Sequence, residues 1–301
     1  MTTSDYLNSI LSSQQMKEDS DELEELRSHR KSVESLLRER FSERSPTIRY
    51  GGSQAKGTLI LESYDLDIIC YFPSDEVGAG ATLKDIYENV REALAEDYYV
   101  ESKTSALRLK SKETDGSAPS DFHIDVIPGR YTDASKADCF IYQASGEKER
   151  LKTNLDVHIK YVKESGVLDS IQLLKLWKVR HGLNLKHFVF ELMIIKLLAK
   201  HSSLTLSEQL EFVWKELRDR KDPVGIEDPA NPQGNDLSSI LSEAWPSLKA
   251  AAEDTLKTIE VSGWSAVFGP APAEAAQEKV RILKAAAAAV ISPTKPWCPN
   301  A

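Results

Sequence analysis

The chain has 301 residues, 41% of them hydrophobic and 8% aromatic, which allows one large globular domain or two lobes of roughly 150 residues each. A formal charge of −9 is the wrong sign for a protein that coats nucleic acid, because such binding draws on clustered Lys and Arg. The longest apolar run, 283–291, is interrupted by Lys284 and too short to cross a bilayer, and the opening MTTSDYLNSI has neither the basic nor the apolar part of an export signal.

In chain order, residues 16–44 read as one long amphipathic helix, with Leu23, Leu26, Arg30, Val33, Leu37 and Phe41 at three- and four-residue steps and Pro46 closing it. A β-rich block at 59–72 ends at Pro73. A helix follows at 83–96, then strands at 98–103 and 105–110, a polar hairpin turn at 111–120, and a strand at 121–127 closed by Pro128 and Gly129. From about Leu151 the period changes from two to 3.6, which predicts helices at 155–164, 168–181, 188–201, 206–220, 237–261 and 274–289. Residues 222–236, DPVGIEDPANPQGND, interrupt them, and the end of the chain, ISPTKPWCPNA, is irregular. The pattern is α+β and two-lobed: a first lobe over 1–150, a helical lobe over 151–292, a tail over 293–301, and a cleft where the lobes meet. Cys70, Cys139 and Cys298 have no C-x-x-C spacing, which excludes a zinc ribbon and a disulfide framework and fits a reduced cytoplasm.

Within the first block, Asp65 and Asp67 lie two apart in an apolar strand and so share one face, where two carboxylates repel and a sheet gains nothing. A divalent cation reverses that argument, since Mg²⁺ takes hard oxygen ligands from one or two carboxylates plus substrate phosphates. The strand DFHIDVIPG supplies a third acid, Asp125, from its polar face; Asp121 and His123 share that face but read as surface groups. Upstream, GGSQAKGT offers Gly51, Gly52 and Gly57, which let backbone approach a phosphate, together with the Ser53 hydroxyl. It lacks the order of a P-loop. Solvent-exposed acids on an edge strand are the competing reading. Residues 151–200 hold nine Lys and Arg against four Asp and Glu, a local positive excess that suits an anionic ligand or a solvated helix face equally.

Gly52-Ser53, eleven residues, then Asp65-x-Asp67, with Asp125 on a later strand, resembles the nucleotidyltransferase superfamily typified by DNA polymerase beta. More narrowly, K-G-T at 56–58, Y-D-L-D at 64–67, H-I-D-V-I-P at 123–128, L-L-K-L-W-K at 173–178, F-V-F-E-L at 188–192, D-P-A-N-P at 228–232 and W-S-A-V-F-G at 264–269 resemble the bacterial CD-NTases, the oligonucleotide cyclases of CBASS anti-phage defence. That resemblance implies a polymerase beta-like core with a mixed sheet, a long N-terminal spine helix and a helical lobe like that of oligoadenylate synthase. It implies two Mg²⁺ ions, with Mn²⁺ able to substitute, held by Asp65, Asp67 and Asp125. It implies triphosphate contacts from Gly52, Ser53 and Lys56, and from a helical-lobe lysine, Lys175 or Lys178, with Lys178 favoured. Many relatives have a serine where this chain reads Lys186-His187, so that contact passes to Lys186 or His187. The implied reaction joins nucleoside triphosphates into a cyclic di- or trinucleotide messenger that acts on a downstream effector. Implied partners include a HORMA-type or conjugating regulator. The alternatives are an enzyme that modifies tRNA or protein, and an inert nucleotide-binding relative.

Overall fold

The computed structural model describes residues 1–15, 21–112, 121–145 and 148–272. The chain starts with α1 (Thr3–Ser13), whose first turn is closed by reciprocal bonds between Thr2 and Asp5. Its Tyr6, Leu7, Ile10 and Leu11 are buried in the helical lobe. Helix α2 (Asp21–Arg40) then crosses to the sheet, burying Leu26, Val33 and Leu37. The expected 16–44 helix is thus shorter: residues 42–44 tighten into a 3-10 turn, and residues 16–20 lie outside the described residues.

After β1 (Thr47–Tyr50), the glycine-rich stretch folds as a short helix, α3 (Gly52–Lys56), rather than the expected turn. The strand expected from residue 59 begins only at β2 (Leu66–Phe72), because residues 60–63 close a bridge of their own. Helix α4 (Leu83–Ala95) leads to β3 (Tyr99–Ser102), β4 (Leu107–Lys110) and β5 (Asp121–Tyr131), followed by β6 (Cys139–Tyr142) and β7 (Arg150–Thr153). The sheet is mixed, in the order β1-β2-β5-β4-β3, with β6 and β7 continuing from the far half of β5. Among the described strands only β2 and β5 run parallel. Most of the polar turn expected at 111–120 lies outside the described residues.

Strand β2 is almost continuously apolar because both of its faces are covered. Ile68, Cys70 and Phe72 pack under α2 and α4, while Ile69 and Tyr71 pack with Tyr131, Cys139 and Ile141. Strand β5 runs through Pro128 and Gly129, which were expected to end it. Pro128 falls between the last residue paired with β4, Val126, and the first paired with β6, Gly129, so no ladder N–H is required of it on that side. Gly129 is held by close approach: a Cβ there would lie 2.7 Å from Cys139 Sγ and 2.9 Å from Phe140 O.

The helical lobe comprises α5 (Leu155–Lys163), α6 (Leu168–Arg180), α7 (His187–Leu198), α8 (Leu206–Asp219), α9 (Ser238–Ser262) and α10 (Ser265–Phe268). Its centre is α7, apolar all round and buried along most of its length, beside Trp177 and Trp214. The helix expected at 274–289 and the tail lie outside the described residues. No described helix is long and apolar enough to cross a membrane.

Gly129→Ala should therefore overpack the β5–β6 contact and cost about 1–3 kcal/mol. In urea the midpoint should fall with an unchanged slope; an unshifted midpoint would show that the strands can part without cost.

Candidate active site

A cleft of about 960 Å³ opens between the sheet and the helical lobe. Gly52, Ser53, Asp65, Asp67 and Asp125 line it from the sheet side, with Lys186, His187, Phe188 and His158 on the opposite wall. The residue register accounts for the acids. Asp67 of β2 sits directly across from Asp125 of β5, and Asp67, Ile69 and Tyr71 share the face that forms the cleft floor. Asp65 precedes the strand, at its mouth. Gly52 is pressed onto this row: its φ is +63°, and a Cβ would overlap the Asp67 carboxylate. The Gly51 N–H donates to Asp67 O at 2.8 Å, which fastens the start of α3 to β2.

Arg108 of β4, opposite Asp125 on its other side, reaches into the acids. Its Nε donates to Asp125 Oδ1 at 2.6 Å and its Nη2 to Asp125 Oδ2 at 2.9 Å, while Nη2 also lies 3.0 Å from Asp65 Oδ1. Lys103 Nζ adds a bond to Asp125 Oδ2 at 3.2 Å. Among the described residues no three His, Cys, Asp or Glu side chains stand as a ready-made metal cage; Asp65 and Asp125 turn toward Arg108. Three like charges cannot close around nothing, and Arg108 and Lys103 supply the positive charge instead.

That supply falls short at Asp67. Burial, then the Asp125 charge, with Lys56 opposing and Asp65 adding, pushes its carboxyl from 3.8 up to about 7. Burial likewise raises Asp65, against the pull of Arg108. The donor set therefore fits a hard divalent cation: it consists of carboxylate oxygens, and burial beside Asp125 makes the charged form of Asp67 costly unless further positive charge arrives.

Lys56, at the end of α3, pairs with Glu191 of α7, which is fully buried. Glu191 also accepts from Thr58 Oγ1 at 2.5 Å and lies 3.4 Å from Lys175 Nζ. Burial pushes the Glu191 carboxyl up, but Lys56 and Lys175 outweigh it and leave it below its ordinary value. Lys175 is lowered to about 8, by burial first, with Glu191 opposing. Its Nζ also donates to Thr58 O at 2.7 Å, and Lys178 Nζ to Leu183 O at 3.4 Å. Neither of the two expected lysines lines the cleft: Lys175, with Gln172 bonding to Gly57 O and Leu59 O, lies against the loop after α3, and Lys178 turns to the loop after α6. His187 does line the cleft and bonds Ser63 Oγ at 3.2 Å. Burial, followed by Lys175 and Lys178, lowers it to about 3, so it is neutral at physiological pH.

Sequence reasoning missed Arg108, Lys103, Glu191 and the His158–Asp228 pair. His158 Nε2 and Asp228 Oδ1 are 2.6 Å apart, and Asp228 is further held by Asn235 and the Ala230 N–H. Glu191 had a signal, being the one acid in the apolar run HFVFELMIIKLL. A lone acid in such a helix has to find buried cations.

No protein-family model and no curated protein match this sequence. The two-lobed α+β fold is nevertheless similar to that of several solved bacterial nucleotide cyclases. CdnC of E. coli MS115-1 with ATP superposes with a TM-score of 0.63 at 19% identity, over 90% of this chain and 98% of that one. The CdnC complex with HORMA-deltaN gives 0.63 at 18% identity, over 89% and 97%. DncV, the cyclic AMP-GMP synthase of Vibrio cholerae with nonhydrolyzable GTP, gives 0.57 at 15% identity, over 89% and 85%. At such identities the likeness is one of fold.

Two outcomes are expected. A carboxyl whose pKa is raised on folding stabilises the protein at low pH and loses that contribution as pH rises toward the folded value, here from about 4 to about 7. Without divalent cations, Asp67→Asn should flatten the steepest part of that decline and melt higher than wild type at pH 8; parallel melting curves across pH would refute the assignment. Glu191→Gln should leave two buried lysines uncompensated and cost roughly 3–5 kcal/mol in chemical denaturation, with part regained on adding Lys175→Met. No regain would mean that Lys175 does not feel Glu191.

Proposed function

We propose that the protein is a metal-dependent nucleotidyltransferase that joins nucleoside triphosphates, ATP among them, into a cyclic di- or trinucleotide messenger and releases pyrophosphate. The observation that carries this is the meeting of Gly52-Ser53 with Asp65, Asp67 and Asp125 in one cleft. Bound by the three aspartates, two Mg²⁺ ions, or Mn²⁺ in their place, would supply activation of an acceptor ribose hydroxyl and neutralise charge on the leaving pyrophosphate.

The remaining work falls to the chain itself. Gly52 lets backbone come close to the triphosphate, and Ser53 offers a hydroxyl donor beside it. Lys56 and Lys186 bring positive charge to the cleft from opposite lobes. The Phe188 and His158 rings, 4.6 Å apart, present faces on which a base can stack. Holding donor and acceptor between two lobes turns a bimolecular encounter into a positioned one, the largest contribution open to an enzyme of this kind. A second or third round, ending with attack by the chain's own hydroxyl, closes the ring. Anti-phage signalling in the cytoplasm through a downstream effector, under a HORMA-type or conjugating regulator, is the setting we propose. CdnC, of the same fold, has been captured with a HORMA protein.

Incubation of the pure protein with the four nucleoside triphosphates and Mg²⁺ or Mn²⁺ should yield phosphatase-resistant small oligonucleotides, identified by mass spectrometry. Asp125→Asn should lower their formation by roughly 10³-fold or more, well beyond what its near-identical volume would suggest. Product formed only with added tRNA, or none even with activating partners present, would overturn the reading.

A further inference from the structure

The three aspartates already have a cationic partner built into the sheet. Asp67, Asp125 and Arg108 form a single cross-strand row, since Asp125 is the register partner of Asp67 on one side and of Arg108 on the other. Directly opposed residues project from the same face, so the backbone itself delivers a guanidinium into the acids. The Arg108 side chain is only 9% exposed and the Asp125 side chain 12%. Both Asp125 oxygens are engaged, Oδ1 by Nε at 2.6 Å and Oδ2 by Nη2 at 2.9 Å, and Nη2 reaches Asp65 Oδ1 at 3.0 Å. This is the bidentate fork in which arginine binds a carboxylate most strongly. Lys103, at the β3–β4 turn, reinforces it at 3.2 Å.

Each carboxylate oxygen has two lone-pair sites, so Asp125 held in this fork can meet a metal only in competition with the guanidinium for its charge and orientation. We propose that Arg108 is a positioning residue that competes with the catalytic cation: it neutralises and orients Asp125 and Asp65, and a metal bound there has to displace or share its hold on Asp125. The inference rests on the proposed metal site and adds a regulation to it. Loading is an exchange of one cation for another within a fixed row, so metal affinity is set by the difference between the two partners and not by the carboxylates alone. Three uncompensated carboxylates in a half-buried cleft would oppose closure of the sheet, and the guanidinium offsets that repulsion. Arg108 differs in this from the cleft cations Lys56 and Lys186: it touches the acids themselves, on the residue that the register forces opposite it.

The test is metal binding without nucleotide. Mn²⁺ binding to the full chain, followed by electron paramagnetic resonance, should tighten by about tenfold or more in Arg108→Gln, since the competing fork is gone. Without metal that variant should melt below wild type, and Mg²⁺ should restore its melting temperature while moving that of wild type much less. Arg108→Lys keeps one charge but cannot bridge both oxygens, and should fall between the two; it serves equally if Arg108→Gln fails to fold without metal. Asp125→Asn in either background should remove the gain. Mn²⁺ affinity unchanged or weakened in both Arg108 variants, with a melting loss that Mg²⁺ does not recover, would overturn the proposal and make Arg108 a structural clamp. A gain in Mn²⁺ affinity in a protein that forms no oligonucleotide would uphold the exchange while refuting the nucleotidyltransferase reading.

Discussion

Everything at the cleft depends on the register of one parallel strand pair. Asp67 and Asp125 face each other because Leu66 pairs with Ile124 and Ile68 with Val126, and a slip of one residue would turn one of the acids into the core under α2 and α4. Ile68, Cys70, Phe72, Ile124 and Val126, all inaccessible to solvent, prevent that slip. The apolar face of the sheet thus holds the charged face in place, and the burial that stabilises the first lobe compels two carboxylates to share a site. Relief of their repulsion then has to come from cations, whether a guanidinium from the next strand or a metal from solution.

The second constraint is the seam beneath the cleft. Glu191 receives Lys56 and Thr58 from the α3 loop and Lys175 from α6, so one buried carboxylate joins both lobes. A buried ion network of this kind is weak evidence for stability, because desolvation consumes much of the attraction. What it provides is geometry. The network tolerates little displacement, and it fixes the start of α3, with Gly52 and Ser53, relative to the helical wall that carries Lys186 and Phe188. The same commitment explains why Lys175 does not open onto the cleft, since its ammonium is already shared between Glu191 and Thr58 O.

The acids were legible in the sequence because carboxylates at alternate positions of an apolar strand have no structural use, and the glycines because Gly52 stands where no Cβ fits. The helical lobe was legible from its period. Other features lacked a local signature. Strands β1, β6 and β7 have four residues each, too few for alternation to show. Arg108, in A-L-R-L-K, reads equally well as the solvent face of a hairpin, and only the β4–β5 register places it opposite Asp125. The stripe of Gln172, Lys175 and Lys178 follows from helical geometry, but the period cannot say what will cover it: Gln172 and Lys175 meet the loop after α3, far away in sequence, and Lys178 meets Leu183 O just beyond its own helix. Helix α1 did carry a signal in the capping-box spacing of Thr2 and Asp5 ahead of Tyr6, Leu7, Ile10 and Leu11.

The fate of the positive charge in 151–200 bears on the size of the substrate. In sequence this excess suits either an anionic ligand or an open basic surface. In the folded chain Lys175 is drawn to Glu191, Arg180 to Glu62 and Phe268 O, Lys152 to Asp138, and Lys196 to Gly225 O. Those four charges are committed to partners within the fold and are not free for a polynucleotide backbone. Lys56, Lys103 and Lys186, which do line the cleft, surround a volume of about 960 Å³. They face Asp65, Asp67, Asp125 and Glu191 across it, so the cleft wall carries both signs of charge and its pull on a polyanion depends on the cations that accompany the ligand. A walled cleft of that size suits a compact ligand better than an extended one, whatever the sign of its wall.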